Sequence, residues 1–165
     1  MLNPQQLFAR LAELGLAHKT VEHERVFTVE QAKAHRGTLP GHHIKNLFLR
    51  NKKEEMWLVV ALEDRAIDLK RLGDMLGAGR LSFGSLDRLR KYLGVEPGSV
   101  TPFAVINDSG HEVTLVLDRG LQADDGPINA HPLTNAMTSA ISLADLLRFF
   151  EATGHAPRWL DFTAG

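Results

Sequence analysis

The sequence contains no cysteine. That absence removes disulfides, thiolate metal ligands and cysteine nucleophiles together, and it is compatible with a reducing compartment. Long apolar runs are missing too. No uninterrupted stretch approaches the roughly 20 residues a membrane span requires, and Met1-Leu2-Asn3-Pro4-Gln5-Gln6 is not a basic segment leading into an apolar one. The expectation is a soluble, unexported, cytoplasmic protein. A net charge of −1 supplies no global positive field, so any binding of nucleic acid falls to local groups of Lys and Arg. There is no GxSxG elbow and no Walker loop. Gly77-Ala78-Gly79 lacks the third glycine of a dinucleotide fingerprint and precedes a strand-like segment rather than a helix. Internal repeats, low-complexity tracts and long linkers are also absent.

What is there suits one folded unit. The chain has 165 residues, 44% apolar and 24% charged, which is ordinary for a compact domain, and residues 1–165 are expected to form one. Asn3-Pro4 pairs an N-cap with a first-turn proline, and Leu7, Phe8, Leu11 and Leu14 recur at helical spacing up to Gly15. Residues 19–24 alternate like a short strand, and Thr28-Val29-Glu30-Gln31 has the capping-box pattern of a helix ending near Gly37. Residues 44–50 and 56–62 are β-rich runs joined by Asn51-Lys52-Lys53-Glu54-Glu55, a polar connection of hairpin length.

Further along, Ile67, Leu69, Leu72, Met75 and Leu76 predict a helix closed by Gly77. Leu86, Leu89, Tyr92 and Leu93 predict a shorter one closed by Gly94, with a strand at Arg80-Leu81-Ser82-Phe83 between them. Two prolines and a glycine make residues 95–102 a loop of defined shape, after which residues 103–107 read as a β-like run. Asp108-Ser109-Gly110 reads as a turn into a strand over 112–117, and Ser142-Leu143-Ala144-Asp145 caps an apolar helix that ends at Gly154. The fold class is α+β, or mixed α/β.

Three places can carry chemistry. Lys45 sits inside an apolar run, where alternation puts it opposite Ile44 and on the face of Leu47 and Leu49. A cation there needs an anion or a cleft, although an edge-strand lysine that discourages aggregation or snorkels to water reads the same way. Gly98, Ser99, Val100, Thr101 and Pro102 form a Gly-x-x-x-Pro loop, which can present amides and carbonyls to a ligand or simply connect two elements. His131, before Pro132 and among polar neighbours, can donate a hydrogen bond to a carbonyl or ribose, or serve structure alone. Basic residues gather at Arg50, Lys52 and Lys53 and again at Arg80, Arg88, Arg90 and Lys91. Either group can neutralise phosphates or form a solvated face, since Glu54, Glu55 and Asp87 are interleaved. His42-His43 raises a metal site, but adjacent residues of an extended chain point to opposite faces, and no HExxH or Cys/His spacing completes one.

Taken in order, Lys45-Asn46-Leu47-Phe48-Leu49, Gly98-Ser99-Val100-Thr101-Pro102 and Asn129-Ala130-His131-Pro132 resemble the YbaK and prolyl-tRNA-synthetase-associated editing domain family. The best likeness is to its free-standing ProX-type branch, whose members clear Ala-tRNA(Pro). The similarity runs from the first helix to Ser142-Leu143-Ala144-Asp145-Leu146-Leu147. It implies a mixed, largely antiparallel β-sheet flanked by helices, and hydrolysis of the ester between a wrongly attached amino acid and the terminal adenosine of tRNA(Pro), with no cofactor and no metal. It also implies that Lys45 matches the essential lysine and the 98–102 loop the family's Gly-x-x-x-Pro motif, with Asn46 and His131 at more subtype-dependent positions. The implied partner is the acceptor end of tRNA(Pro), with prolyl-tRNA synthetase or an elongation factor as a further one.

An ordinary lysine is protonated at neutral pH, so the expected role of Lys45 is electrostatic. It anchors the tRNA end while backbone groups of the 98–102 loop hold the ester and a water. The tRNA 2′-hydroxyl is a candidate assistant. Competing readings are a deacylase for Cys-tRNA(Pro) or another small aminoacyl-tRNA, a noncatalytic tRNA-binding or synthetase-associated module, and a metal-assisted hydrolase using His42 or His43.

Overall fold

A computed structural model describes residues 1–24 and 40–163; the capped helix expected over residues 28–37 lies outside them. Helix α1 (Pro4–Glu13) starts where Asn3 accepts from the Gln6 N–H and the Gln6 side chain reciprocates, with Pro4 in the first turn. It buries Leu7 and Leu11, one stripe of an amphipathic helix. Strand β1 (Lys19–Glu22) follows, then the long β2 (His42–Arg50) and β3 (Met56–Leu62), paired antiparallel from Ile44↔Leu62 to Arg50↔Met56. Asn51 builds the hairpin between them: its Oδ1 accepts from the Lys53 and Glu55 amides, and its Nδ2 donates to the Ala78 carbonyl.

Helix α2 (Leu69–Leu76) is capped by Asp68 and closed by Gly77 at φ +66°, a left-handed conformation that glycine adopts without penalty. The two-residue β4 (Ser82–Phe83) precedes α3 (Leu86–Arg88), which runs on as a π-helical turn over Leu89–Leu93 and stops at Gly94. Strand β5 (Val113–Asp118), strands β6 (Ile128–Ala130) and β7 (Met137–Ile141), helix α4 (Leu143–Thr153) and strand β8 (Arg158–Leu160) complete the described chain.

The strands form one sheet in the order β1-β7-β6-β2-β3-β5-β8, with β4 paired to β2. The β1–β7, β2–β3, β2–β4 and β6–β7 pairings are antiparallel, while β2–β6, β3–β5 and β5–β8 are parallel. The expected mixed, mostly antiparallel sheet with helices is what forms. Both faces are covered. On one, Phe48, Leu58, Val60, Leu115 and Leu117 pack with α1 and with Leu146, Phe149 and Phe150 of α4. On the other, Leu49, Trp57, Val59 and Val116 pack with Leu72 and Leu76 of α2. Burial on both sides is why β3 reads as an unbroken apolar run.

One expectation is corrected. Residues 103–107 are not a strand but part of a 3₁₀ helix, Pro102–Asn107. Thr101 starts it, its hydroxyl accepting from the Phe103 amide, and Pro102 supplies a fixed first-turn φ. Phe103, Ala104 and Val105 are all fully buried, and a short apolar run buried on every side carries no period that separates strand from helix.

Candidate active site

Strand β2 is where the sheet is interrupted. Along one edge it pairs with β3 from Ile44 to Arg50. Along the other, β6 occupies only His42 and His43 and β4 only Leu49 and Arg50. Residues 44–48 of that edge have no strand partner among the described residues. The His43 carbonyl bonds to Glu63 on the β3 side and the Phe48 carbonyl to Gly84 on the other. Alternation therefore turns the backbone N–H and C=O of Asn46 into the gap.

Lys45 lies beside this notch, half-buried and on the α2 face, as alternation predicts. Its Nζ donates to the backbone carbonyl of Arg65. An ammonium has three donors, so that bond fixes the amine and leaves the others for a ligand. The Arg65 side chain is tied in turn to Asp118, with Nε to Oδ2 at 3.0 Å and Nη2 to Oδ1 at 3.1 Å. Asp118 has no solvent exposure and also accepts from the Leu62 and Gly120 amides. The Asp118 hydrogen bond raises the pKa of the Arg65 guanidinium. Neither Arg65 nor Asp118 stood out in the sequence, because the only local sign was an Asp-Arg-Gly at a strand end.

Asn46 points the other way, beside Val60 and the larger core. Its Oδ1 is buried and has no hydrogen-bond partner among the described residues. Such an orphan costs about 1–3 kcal/mol, which marks it as a candidate contact for a ligand. Neighbours on a strand face opposite sides, so Lys45 and Asn46 can serve one site only at the open edge of β2, where the two faces meet.

The 98–102 loop belongs to the Asn46 side. Gly98 and Ser99 lie in a 3₁₀ turn, Pro97–Ser99, with Ser99 buried and its amide on the Glu96 carbonyl at 2.8 Å. Val100 packs against the larger core, Thr101 is fully buried, and Pro102 opens the next helix. Gly98 is thus not needed for a positive φ. Residues 94–99 line a cleft of about 690 Å³ with Pro4, Leu133, Thr134 and Asn135. Leu133 takes φ +65° there, a strained choice for a branched side chain and of a kind that concentrates at functional sites.

His131 stands two residues before Leu133. The last paired step of β2 and β6 is His43↔Asn129, and two residues further along each chain come Lys45 and His131. The His131 Nδ1 lies 2.9 Å from the Met137 carbonyl. A carbonyl can only accept, so Nδ1 carries the proton. Burial pushes the ring's pKa down from 6.5, against the Met137 carbonyl, which raises it, and with the neighbouring His23, which lowers it further. The neutral ring therefore presents Nε2 as an acceptor. The ring does donate to a carbonyl, as expected, but to one of its own chain, so Nδ1 is not free to donate to a ligand.

The structure thus sets His131 just beyond the β2–β6 pairing, puts Gly98 and Ser99 in a cleft with Leu133, Thr134 and Asn135, and anchors Lys45 on the α2 side. The basic groups are less available than their sequence suggests. Glu54 pairs with both Arg50 and Arg88, and Glu96 holds Arg90 at 2.9 Å. His42 Nε2 sits 2.9 Å from Asp124, and no group of three or more His, Asp or Glu suited to a metal occurs among the described residues.

A family model for the aminoacyl-tRNA editing domain matches residues 23–149. The chain belongs to that family. Editing is cleavage of the ester that joins an amino acid to tRNA, so this editing-domain protein is a hydrolase. Over 152 residues it is 40% identical to the prolyl-tRNA editing protein ProX of Acetoanaerobium sticklandii, covering 92% of each chain. It is 41% identical over 161 residues to prolyl-tRNA synthetase associated domain-containing protein 1 of Mus musculus, covering 95% of each. Among solved structures, a candidate trans-editing enzyme for prolyl-tRNA synthetase superposes with a TM-score of 0.73 over 100% of both chains at 21% identity. At that identity the likeness concerns the fold. Among the described residues no helix is long and apolar enough to cross a membrane.

Proposed function

We propose that residues 1–165 act as one unit that removes a wrongly attached amino acid from tRNA(Pro) in trans, and that the preferred substrate is Ala-tRNA(Pro). The observation that supports the prolyl-tRNA editing part of this reading is the 40% identity over 92% of both chains to a prolyl-tRNA editing protein. The partner is the acceptor end of tRNA(Pro), delivered in the company of prolyl-tRNA synthetase.

An aminoacyl ester is already activated, so positioning and charge stabilisation suffice for catalysis. In this reading the ester lies in the β2 notch. The Lys45 ammonium, held by the Arg65 carbonyl, supplies a fixed cation for the tRNA end. The 98–102 loop and the Asn46 amide present polar groups to the aminoacyl moiety. Neutral His131, with Nε2 as acceptor, receives a hydrogen bond from the attacking water or a ribose hydroxyl. Selection works by exclusion, because a pocket that admits alanine can refuse the larger proline after the synthetase has failed to reject the smaller residue. Val100, Pro102 and His131 are the proposed walls.

A deacylation panel tests this. Wild type should turn over Ala-tRNA(Pro) many times and leave Pro-tRNA(Pro) intact, with Cys- and Ser-tRNA(Pro) as comparisons. Lys45→Ala should lose on the order of 10²-fold or more in kcat/KM, the scale of one lost transition-state donor. Near-normal activity in Lys45→Ala would overturn the assigned role, rapid cleavage of Pro-tRNA(Pro) would overturn the sieve, and tight binding without turnover would mean a noncatalytic module.

A further inference from the structure

Phe83 is 61% exposed, an unusual setting for a large aromatic, and Leu86, three residues on, is 41% exposed. Phe83 sits on β4, whose pairing to β2 sets Leu49 opposite it. Residues opposite each other in an antiparallel pair share a face, and Leu49 shares its face with Leu47 and Lys45. Phe83 is therefore on the Lys45 side of the sheet, one strand outward and four residues along β2. At about 3.4 Å per residue and about 4.8 Å between strands, that is roughly 14 Å from Lys45, a span suited to a nucleotide or two of extended single strand.

Positive charge lies past Phe83 on the side away from Lys45, because the chain runs from Arg80 into β4 with Ser82 opposite Arg50. Lys70 on α2 and Arg80 before β4 line a cleft of about 490 Å³ with Asp74, Gly79 and Leu81. Phe83 and Leu86 alone are too small a surface for a stable protein interface, which buries about 1,200 Å² or more. An exposed aromatic with cations further along the same approach is instead what sequence-tolerant recognition of a single strand uses, a base stacking on the ring while the charges follow the phosphates. Gly84 holds β4 close against β2. A Cβ there would meet the Phe48 ring at 2.4 Å, so β4 lies tight on β2 through the Gly84 amide and Phe48 carbonyl.

We infer that Phe83 is a stacking platform for an unpaired base of the tRNA 3′ end, on the strand leading to the ester at Lys45. This rests on the tRNA reading above. Stacking contributes about 1–3 kcal/mol per base, so Phe83→Ala should raise KM for Ala-tRNA(Pro) about tenfold with kcat little changed, and Phe83→Trp should restore it. Both variants should cleave 3′-alanyl-adenosine, which has no preceding nucleotide, as wild type does. Equal KM for Phe83→Ala and wild type on the full substrate would overturn the proposal, as would an equal loss on both substrates. Fluorescence anisotropy with a short oligonucleotide ending in CCA separates this from the deacylase reading. If wild type hydrolyses neither substrate, the function fails, yet weaker oligonucleotide binding by Phe83→Ala and extra tryptophan quenching in Phe83→Trp still support stacking. Unchanged binding overturns it.

Discussion

At Asp118 a carboxylate without solvent exposure receives four hydrogen bonds, two of them from Arg65, and the Arg65 carbonyl holds the Lys45 amine. Removing one partner of a buried pair leaves the other uncompensated, at about 3–5 kcal/mol. Since Arg65 is partly exposed, Asp118→Ala should cost near the lower end, read as a drop in the urea midpoint. Asp118→Asn turns an amide toward donors, and should lower kcat for Ala-tRNA(Pro) more than it raises KM; a change in KM alone would argue against positioning. His131 makes a pH prediction. Its folded pKa lies below 6.5, so the neutral ring persists as pH falls through 6.5 while the unfolded chain takes up a proton. Stability from this group is present above 6.5 and is lost as pH falls below it. Deacylation, corrected for spontaneous hydrolysis, should stay level from pH 8 to 6.5 and decline only on the acid side, and His131→Gln should remove that limb.

Among the elements, β2 and its hairpin were legible because alternation and a polar turn are local signals. Residues 56–62 were read as a strand and β3 spans Met56–Leu62. Caps were legible for the same reason, at Asn3, at Ser142 and at Gly77 and Gly154, both with positive φ. Strands β6, β7 and β8 were not foreseen. They are three to five residues long, too short for a pattern, and tertiary pairing alone makes them strands. The short β4 depends on Gly84. Gly84→Ala drives a methyl into the Phe48 ring, at 2.4 and 2.5 Å from its nearest carbons, and should destabilise by about 1–3 kcal/mol, the usual cost of overpacking. Chemical denaturation measures this, and an unchanged midpoint would show that β4 can move away freely.

For the whole molecule, the net charge of −1 and the pairing of Arg50, Arg88 and Arg90 with glutamates argue against a broad basic surface, and the proposed path uses only Lys45, Lys70 and Arg80. Each neutralised phosphate contributes about −0.7 to −0.9 to the slope of log K against log salt. Binding of tRNA(Pro) should therefore have a shallow slope, about −2 to −3, measured by anisotropy over a salt series; a slope several times steeper would mean a basic surface beyond the notch.

The sequence by itself determined the helix caps, the faces of β2, the hairpin and the motif order that marks an editing domain, because these depend on residues a few positions apart. Tertiary structure decided the rest. Lys45 meets Arg65 across 20 positions and Arg65 meets Asp118 across 53, distances over which no local pattern registers. The protonation of His131 likewise came from one carbonyl and its burial. Among the described residues, the notch exists because two short strands cover the ends of one edge of β2 and leave its middle without a strand partner.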